Sequence, residues 1–185
     1  METYMGKPQA TNLSDEINEA VMRNVITNLR RLIRNPDDDF ARGELMWASA
    51  MAENGMLKLG KQTDFQCHMI EHAVGAYTDC NHGQGLAVIH PALYRRLLEA
   101  GKEKLARMAE TVWGVKGTTI EETAMRGIEA LEAFIREIGL PTHWSEMGIT
   151  DESMLRAAAD TCFITPGCCR QLTRDEIFEL LMERM

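Results

Sequence analysis

Apolar residues recur along almost the whole chain at the three-to-four-residue spacing of a helical face turned toward a core. Ile17, Val21, Val25, Leu29 and Leu32 form the first such stripe, running to about Arg34. Ser14 is placed to cap it, and Asp15 and Glu16 fall in the first turn, where carboxylates favour the positive end of the helix dipole. Asn35-Pro36 is expected to restart the chain, with Asn as cap and Pro at the first helical position. Leu45, Ala48, Ala52, Met56 and Leu59 then continue a second helix to about Gly60. A short helix carries His68 and His72. The next, about Gly85–Glu99, contains Pro91, whose missing N–H should kink it or split it after Ile89.

Lys102–Trp113 and Thr119–Ile138 follow, the latter striped by Ala124, Ile128, Leu131, Ile135 and Ile138 and stopped by Gly139-Leu140-Pro141. Asp151–Thr161 and Thr173–Met185 complete the series, the last opening T-R-D-E as a capping box. No strand-period segment exceeds about four residues, and there is no internal repeat or low-complexity linker. The pattern predicts an all-α single domain over residues 1–185, built from about seven to nine helices.

Composition narrows the function classes. At 185 residues the chain is long enough for a real core. A net charge of -8 with no basic patch or tail argues against nucleic-acid or anionic-membrane binding. No apolar run approaches the length of a bilayer span. The five cysteines are odd in number and scattered apart from Cys168-Cys169, which favours reduced thiols and a cytoplasmic location over a disulfide framework. The 13 methionines suggest an adaptable core, and Trp47 and Trp144 are expected to be packing residues.

The chemistry concentrates in Thr63–His90, which holds four of the five histidines. Imidazole is the commonest transition-metal ligand and the usual proton shuttle near neutral pH. His68 and His72 stand one helical turn apart on one face. His82 lies fourteen residues beyond His68, roughly 21 Å away on a straight helix. A turn in Thr78–Gly83 would let a second helix fold back and bring it to the same ion. His90, between Ile89 and Pro91, is expected to be a packing histidine, and His143, after Pro141, a loop residue.

Three metal-site chemistries fit these residues. His68-Met-Ile-Glu71-His72 spells H-x-x-E-H, the inverted zincin pattern, which would need a further ligand such as Glu121, Glu122 or Glu129. A structural zinc site could enlist Cys67 or Cys80, although no paired C-x-x-C is present. A mononuclear iron or zinc centre of histidines and one carboxylate could polarise an alcohol or carbonyl oxygen.

The run H-M-I-E-H-A-V-G-A-Y-T-D-C-N-H-G-Q-G-L-A-V-I-H-P, residues 68–91, resembles the metal-binding stretch of the iron-containing alcohol dehydrogenases, most closely their butanol dehydrogenase-like branch. Ala41–Gly60 is similar to the helix that leads into it, and Leu140–Ile149 and Leu172–Leu181 to the family's closing loop and last helix. The resemblance implies the C-terminal helical metal-binding domain of such an enzyme. It places His68 and His82 on two metal ligands, with Fe2+ or Zn2+ as the ion. His72 falls on the histidine near nicotinamide and substrate, in a catalytic and cofactor-contacting role. Glu71 is expected at the surface or behind the ligands, and Cys67 and Cys80 as small apolar fillers.

The family's chain is about twice as long, and its first half is an α/β nucleotide-binding domain. No G-x-G-x-x-G or similar phosphate loop is found here. Met1-Glu2-Thr3-Tyr4 matches the end of the family's x-x-Glu-x-Tyr/Phe run, which follows its other two metal ligands, an aspartate and a histidine. The chain is therefore expected to be the C-terminal half of an NAD(P)-dependent alcohol dehydrogenase acting on a small alcohol or aldehyde, with NAD(P) held mainly by the absent domain. Such a half should be inactive alone and should form homo-oligomers through uncovered apolar surface. The alternative is a self-standing helical metal-binding or interaction protein without redox activity.

Overall fold

A computed structural model describes all of residues 1–185. Nine α-helices follow one another: α1 (Glu2–Met5), α2 (Leu13–Arg34), α3 (Asp39–Glu53), α4 (Gln66–Thr78), α5 (His82–Arg96), α6 (Leu98–Met108), α7 (Ile120–Glu137), α8 (Glu152–Thr161) and α9 (Arg174–Met182). Extended pairing is confined to one antiparallel bridge between Lys7 and Gln62. The all-helical reading of the apolar stripes holds.

The helix ends differ from the sequence expectations where a longer-range partner decides them. α2 is capped by Asn12 rather than Ser14: Asn12 accepts from Asp15 N while Asp15 accepts from Asn12 N, both at 3.1 Å. Ser14 is instead buried and donates to the carbonyl of Leu59 at 2.8 Å. Asn35 ends α2, and Asp38 caps α3 by accepting from Ala41 N at 2.9 Å. The second helix stops at Glu53, short of Gly60, and Met56–Lys58 forms a separate 3-10 turn. α6 runs on into a π turn over Ala109–Trp113, with a kink at Gly101.

Pro91 does not split α5, which continues to Arg96. A proline inside a helix costs about 3 kcal/mol. Against that, Val88, Ile89, Ala92, Leu93 and Tyr94 are all buried, and a fully buried Val, Leu or Ile side chain contributes on the order of 1.5–3 kcal/mol. The helix is kept by its packing on both sides. Val88, Ile89, Ala92 and Leu93 enter one core with α4, α8, α9 and Trp144. Ala87 and Tyr94 enter a second with α1, α6 and α7, around Leu105, Ile128 and Ile135. Trp144 is buried as expected, whereas Trp47 is 69 % exposed, bordering the open groove between α2 and α3, and belongs to neither core.

α1 has only four residues, too few to persist as an isolated helix. A buried polar network holds it. Lys104 Nζ donates to both oxygens of Asp15, at 3.0 and 2.9 Å, and to Tyr4 O at 2.8 Å. Lys61 Nζ pairs with the same Asp15 and donates to Tyr4 O at 3.1 Å and Thr3 O at 3.3 Å. Tyr4 Oη donates to Glu19 at 2.9 Å, and Glu19 is also bound by Arg107 Nε at 2.6 Å. Two ammonium groups thus share one carboxylate. Burial, followed by the neighbouring Lys104, brings the Lys61 ammonium down to about 7, and burial lowers Lys104 as well.

Asp15→Asn should destabilise the chain by roughly 3–5 kcal/mol, because it leaves two buried ammonium groups without a counter-ion. Lys61→Met should cost only about 1 kcal/mol, since Lys104 still pairs with Asp15. Urea unfolding measures both losses; equal losses for the two variants would contradict this ranking.

Candidate metal centre

The histidine cluster sits where α4 meets α5. His68 and His72 share one face of α4, with ring centroids 6.0 Å apart. The chain leaves α4 through Asp79, whose backbone is left-handed at φ 53°, a conformation that short polar side chains tolerate. Asn81 then caps α5 by accepting from Gln84 N at 3.2 Å. α5 begins at His82, earlier than the expected Gly85, and its ring lies 5.3 Å from His68 and 5.2 Å from His72. The expected turn and fold-back are both present, and the three imidazoles form one triangle.

Two buried carboxylates stand behind this triangle. Glu2 is 4 % exposed. Its Oε2 meets His68 Nδ1, while Oε1 accepts from the backbone of Cys67 at 2.5 Å and of His68 at 3.3 Å. Those backbone groups belong to the first turn of α4, so Glu2 supplies the cap that Phe65 at the N-cap position does not. Burial opposes ionisation of Glu2, but the hydrogen bond from His68 and the charges of His90 and His68 outweigh it and hold the carboxyl below its usual range. Glu71 is 2 % exposed and meets His82 Nδ1. It is not a surface group: α4 turns it inward toward α5.

The remaining candidates separate cleanly. His90 packs as expected, with Nδ1 3.0 Å from Leu86 O, and burial brings it down to about 4. His143 lies at the start of a 3-10 turn, hydrogen-bonded to Thr142, and belongs to neither group of clustered ligand atoms. Cys67 is fully buried and Cys80 half-buried, and burial raises both thiols. Glu121 pairs with Lys102 at 2.8 Å and Glu122 with Arg126 at 2.6 Å, and neither they nor Glu129 join the cluster. The inverted zincin arrangement therefore lacks its carboxylate ligand, and Glu71 faces His82 rather than open space. Glu71, His72 and His82 bring ligand atoms within 4.8 Å of one another, as do Glu2, Cys67 and His90 in the adjoining interior.

Glu2 and Glu71 are the two site residues that periodicity did not single out. Glu2 contacts the cluster across 66 positions in sequence, and its one signal is the Met1–Tyr4 match noted above. Imidazoles grouped this closely, two of them with a carboxylate on Nδ1, suit a borderline divalent ion such as Fe2+ or Zn2+.

Residues 1–185 match the C-terminal region of the Fe-containing alcohol dehydrogenase family. NADH-dependent butanol dehydrogenase A of Clostridium acetobutylicum is 32% identical over 184 residues, covering 97% of this chain and 47% of the relative. NADPH-dependent aldehyde reductase YqhD of Escherichia coli is 29% identical over 154 residues, 83% of this chain and 40% of that protein. Among solved structures, the substrate- and cofactor-free aldehyde reductase YqhD superposes with a TM-score of 0.89 at 26% identity, over 100% of this chain and 49% of the other. NADH-dependent butanol dehydrogenase A of Thermotoga maritima gives 0.89 at 28% identity, over 99% and 48%. The chain spans about half the length of the curated relatives it matches. With fold, length of match and the histidine segment in agreement, the chain belongs to the iron-containing alcohol dehydrogenase family.

Proposed function

We propose that this chain is the metal- and substrate-binding part of an NAD(P)-dependent oxidoreductase that interconverts small alcohols with aldehydes or ketones. The observation that carries this is the triangle of His68, His72 and His82 at the α4–α5 junction, in a chain of this family. His68 and His82 are the proposed ligands for Fe2+ or Zn2+, each backed by a buried carboxylate. In that reaction the metal would supply Lewis acidity, and the nicotinamide would give the hydride in reduction and take it in oxidation.

The chain's own part is to bind, orient and move a proton. His72 has no carboxylate partner, is exposed, and lies beside both proposed ligands. It is proposed to give a proton to the substrate oxygen in reduction and to take one in oxidation. The apolar wall of α4 and α5 beneath the cluster, with Ile70, Val74 and Val88 buried, keeps water to one side. These residues contain no strand–loop–helix unit that could seat a dinucleotide, so NAD(P) is proposed to bind mainly outside them. Exposed Leu13, Met46 and Trp47 are proposed to support self-association. A second reading, a helical metal-binding protein without redox activity, is favoured by the same missing dinucleotide unit.

The untagged 185-residue chain should bind Zn2+ or Co2+ weakly, with His68→Ala and His82→Ala each losing it and His72→Ala retaining it. Elemental analysis after dialysis measures this, and metal content unchanged by the first two substitutions would place the ion elsewhere. Butyraldehyde reduction with NADH or NADPH should be undetectable for these residues alone. Turnover accompanied by stoichiometric iron would overturn the division of labour. Co-expression with the nucleotide-binding half of a butanol dehydrogenase distinguishes the two readings: gain of turnover supports the oxidoreductase, and its absence with intact folding and metal binding supports the second.

A further inference from the structure

Glu71 occupies a slot that the fold has made for it. Its carboxylate lies between α4 and the first turn of α5, with Oε2 against His82 Nδ1 and Oε1 3.7 Å from Cys80 Sγ. The slot exists because residue 85 is glycine. A Cβ there would stand 2.8 Å from Glu71 Cγ and 2.9 Å from Oε1, closer than carbon and oxygen atoms pack. A Cβ at Gly75, one turn further along α4, would meet Oε1 at 3.6 Å, an ordinary contact, so the constraint lies at Gly85. His82 needs such a partner. It is the first residue of α5, its side chain is about half exposed, and Glu71 is its one side-chain hydrogen-bond partner.

An ionised carboxylate can only accept a hydrogen bond, so the imidazole nitrogen facing it must carry the proton. That leaves the lone pair on Nε2, the atom on the far side of the ring. The Glu2–His68 pair repeats the arrangement through a different helix. We propose that Glu71 is a positioning residue: its carboxylate holds His82 as the Nδ1–H tautomer with Nε2 presented to the metal, and Gly85 is the space that admits it. The link to a metal rests on the function proposed above, whereas the carboxylate lock on the ring does not.

The test uses the metal-free chain with 15N-labelled histidine, at about pH 8, above the ordinary range of a free imidazole. Two-bond 1H–15N correlation spectra report which ring nitrogen carries the proton. Wild type should show His68 and His82 as Nδ1–H. Glu71→Ala should turn His82 alone into a tautomer mixture, and Glu71→Gln, whose amide oxygen still accepts, should largely restore it. Gly85→Ala should produce the Glu71→Ala spectrum with Glu71 still present. Thermal melts by circular dichroism confirm folding, and Glu71→Gln, isosteric in its slot, remains informative if Gly85→Ala does not fold.

Titration with Co2+ alone then reads the consequence. Affinity should fall about 10–100-fold in Glu71→Ala and less in Glu71→Gln, while His82→Ala abolishes the shared site. A His82 tautomer unmoved by Glu71→Ala overturns the proposal. So does Co2+ affinity within about two-fold of wild type in that variant. Loss of Co2+ without a tautomer change would make Glu71 a ligand in its own right, which also overturns it. If wild type binds no Co2+ yet the tautomer responds, the lock stands and the metal reading fails.

Discussion

The position of the imidazole cluster depends on one buried carboxylate, Glu2. It caps the first turn of α4 through the backbone of Cys67 and His68 and meets the His68 ring from behind. A cap and a ring contact from the same side chain fix both the axis of α4 and the angle of His68. Glu2 can do this only because α1 is held, and α1 is held by the Asp15, Lys61 and Lys104 triad beneath Tyr4. Two lysines on one carboxylate is an electrostatically unbalanced core. Its uncompensated charge is eased by the carbonyls of Thr3 and Tyr4 and by the fall of Lys61 toward neutral pH.

α5 supplies the second constraint. Its first residue is His82, its middle is buried among both cores, and Pro91 is carried inside it. The end of a helix anchored this firmly is a rigid mount for a side chain, even one that is half exposed. The two ligand candidates therefore reach the site on different helices, each with its own buried acid. His72 has none, which separates its proposed proton-handling role from theirs.

The helices were legible because each amphipathic stripe is a local signal, and Thr119, Asp151 and Thr173 cap where short-range chemistry places them. The histidine triangle was legible for the same reason, as a turn of helix, a turn-forming Asp-Cys-Asn and a second helix. What escaped is non-local. Ser14 loses the capping role to Asn12 because it is drawn to the Leu59 carbonyl. Pro91 stays helical because of contacts made by its neighbours. Glu71 lies next to His72 in sequence, but its inward direction depends on a glycine fourteen residues away. Trp47 reads as core by residue type yet stays largely exposed at the groove between α2 and α3.

His68 and His82 are proposed to bind one metal ion through the nitrogens their carboxylates leave free. The direct measurement is anomalous diffraction from crystals of the chain soaked in Zn2+. One peak is expected between α4 and α5, about 2.0–2.1 Å from Nε2 of both histidines. A peak at Glu2, Cys67 and His90, or one bound through the Nδ1 atoms, would contradict it.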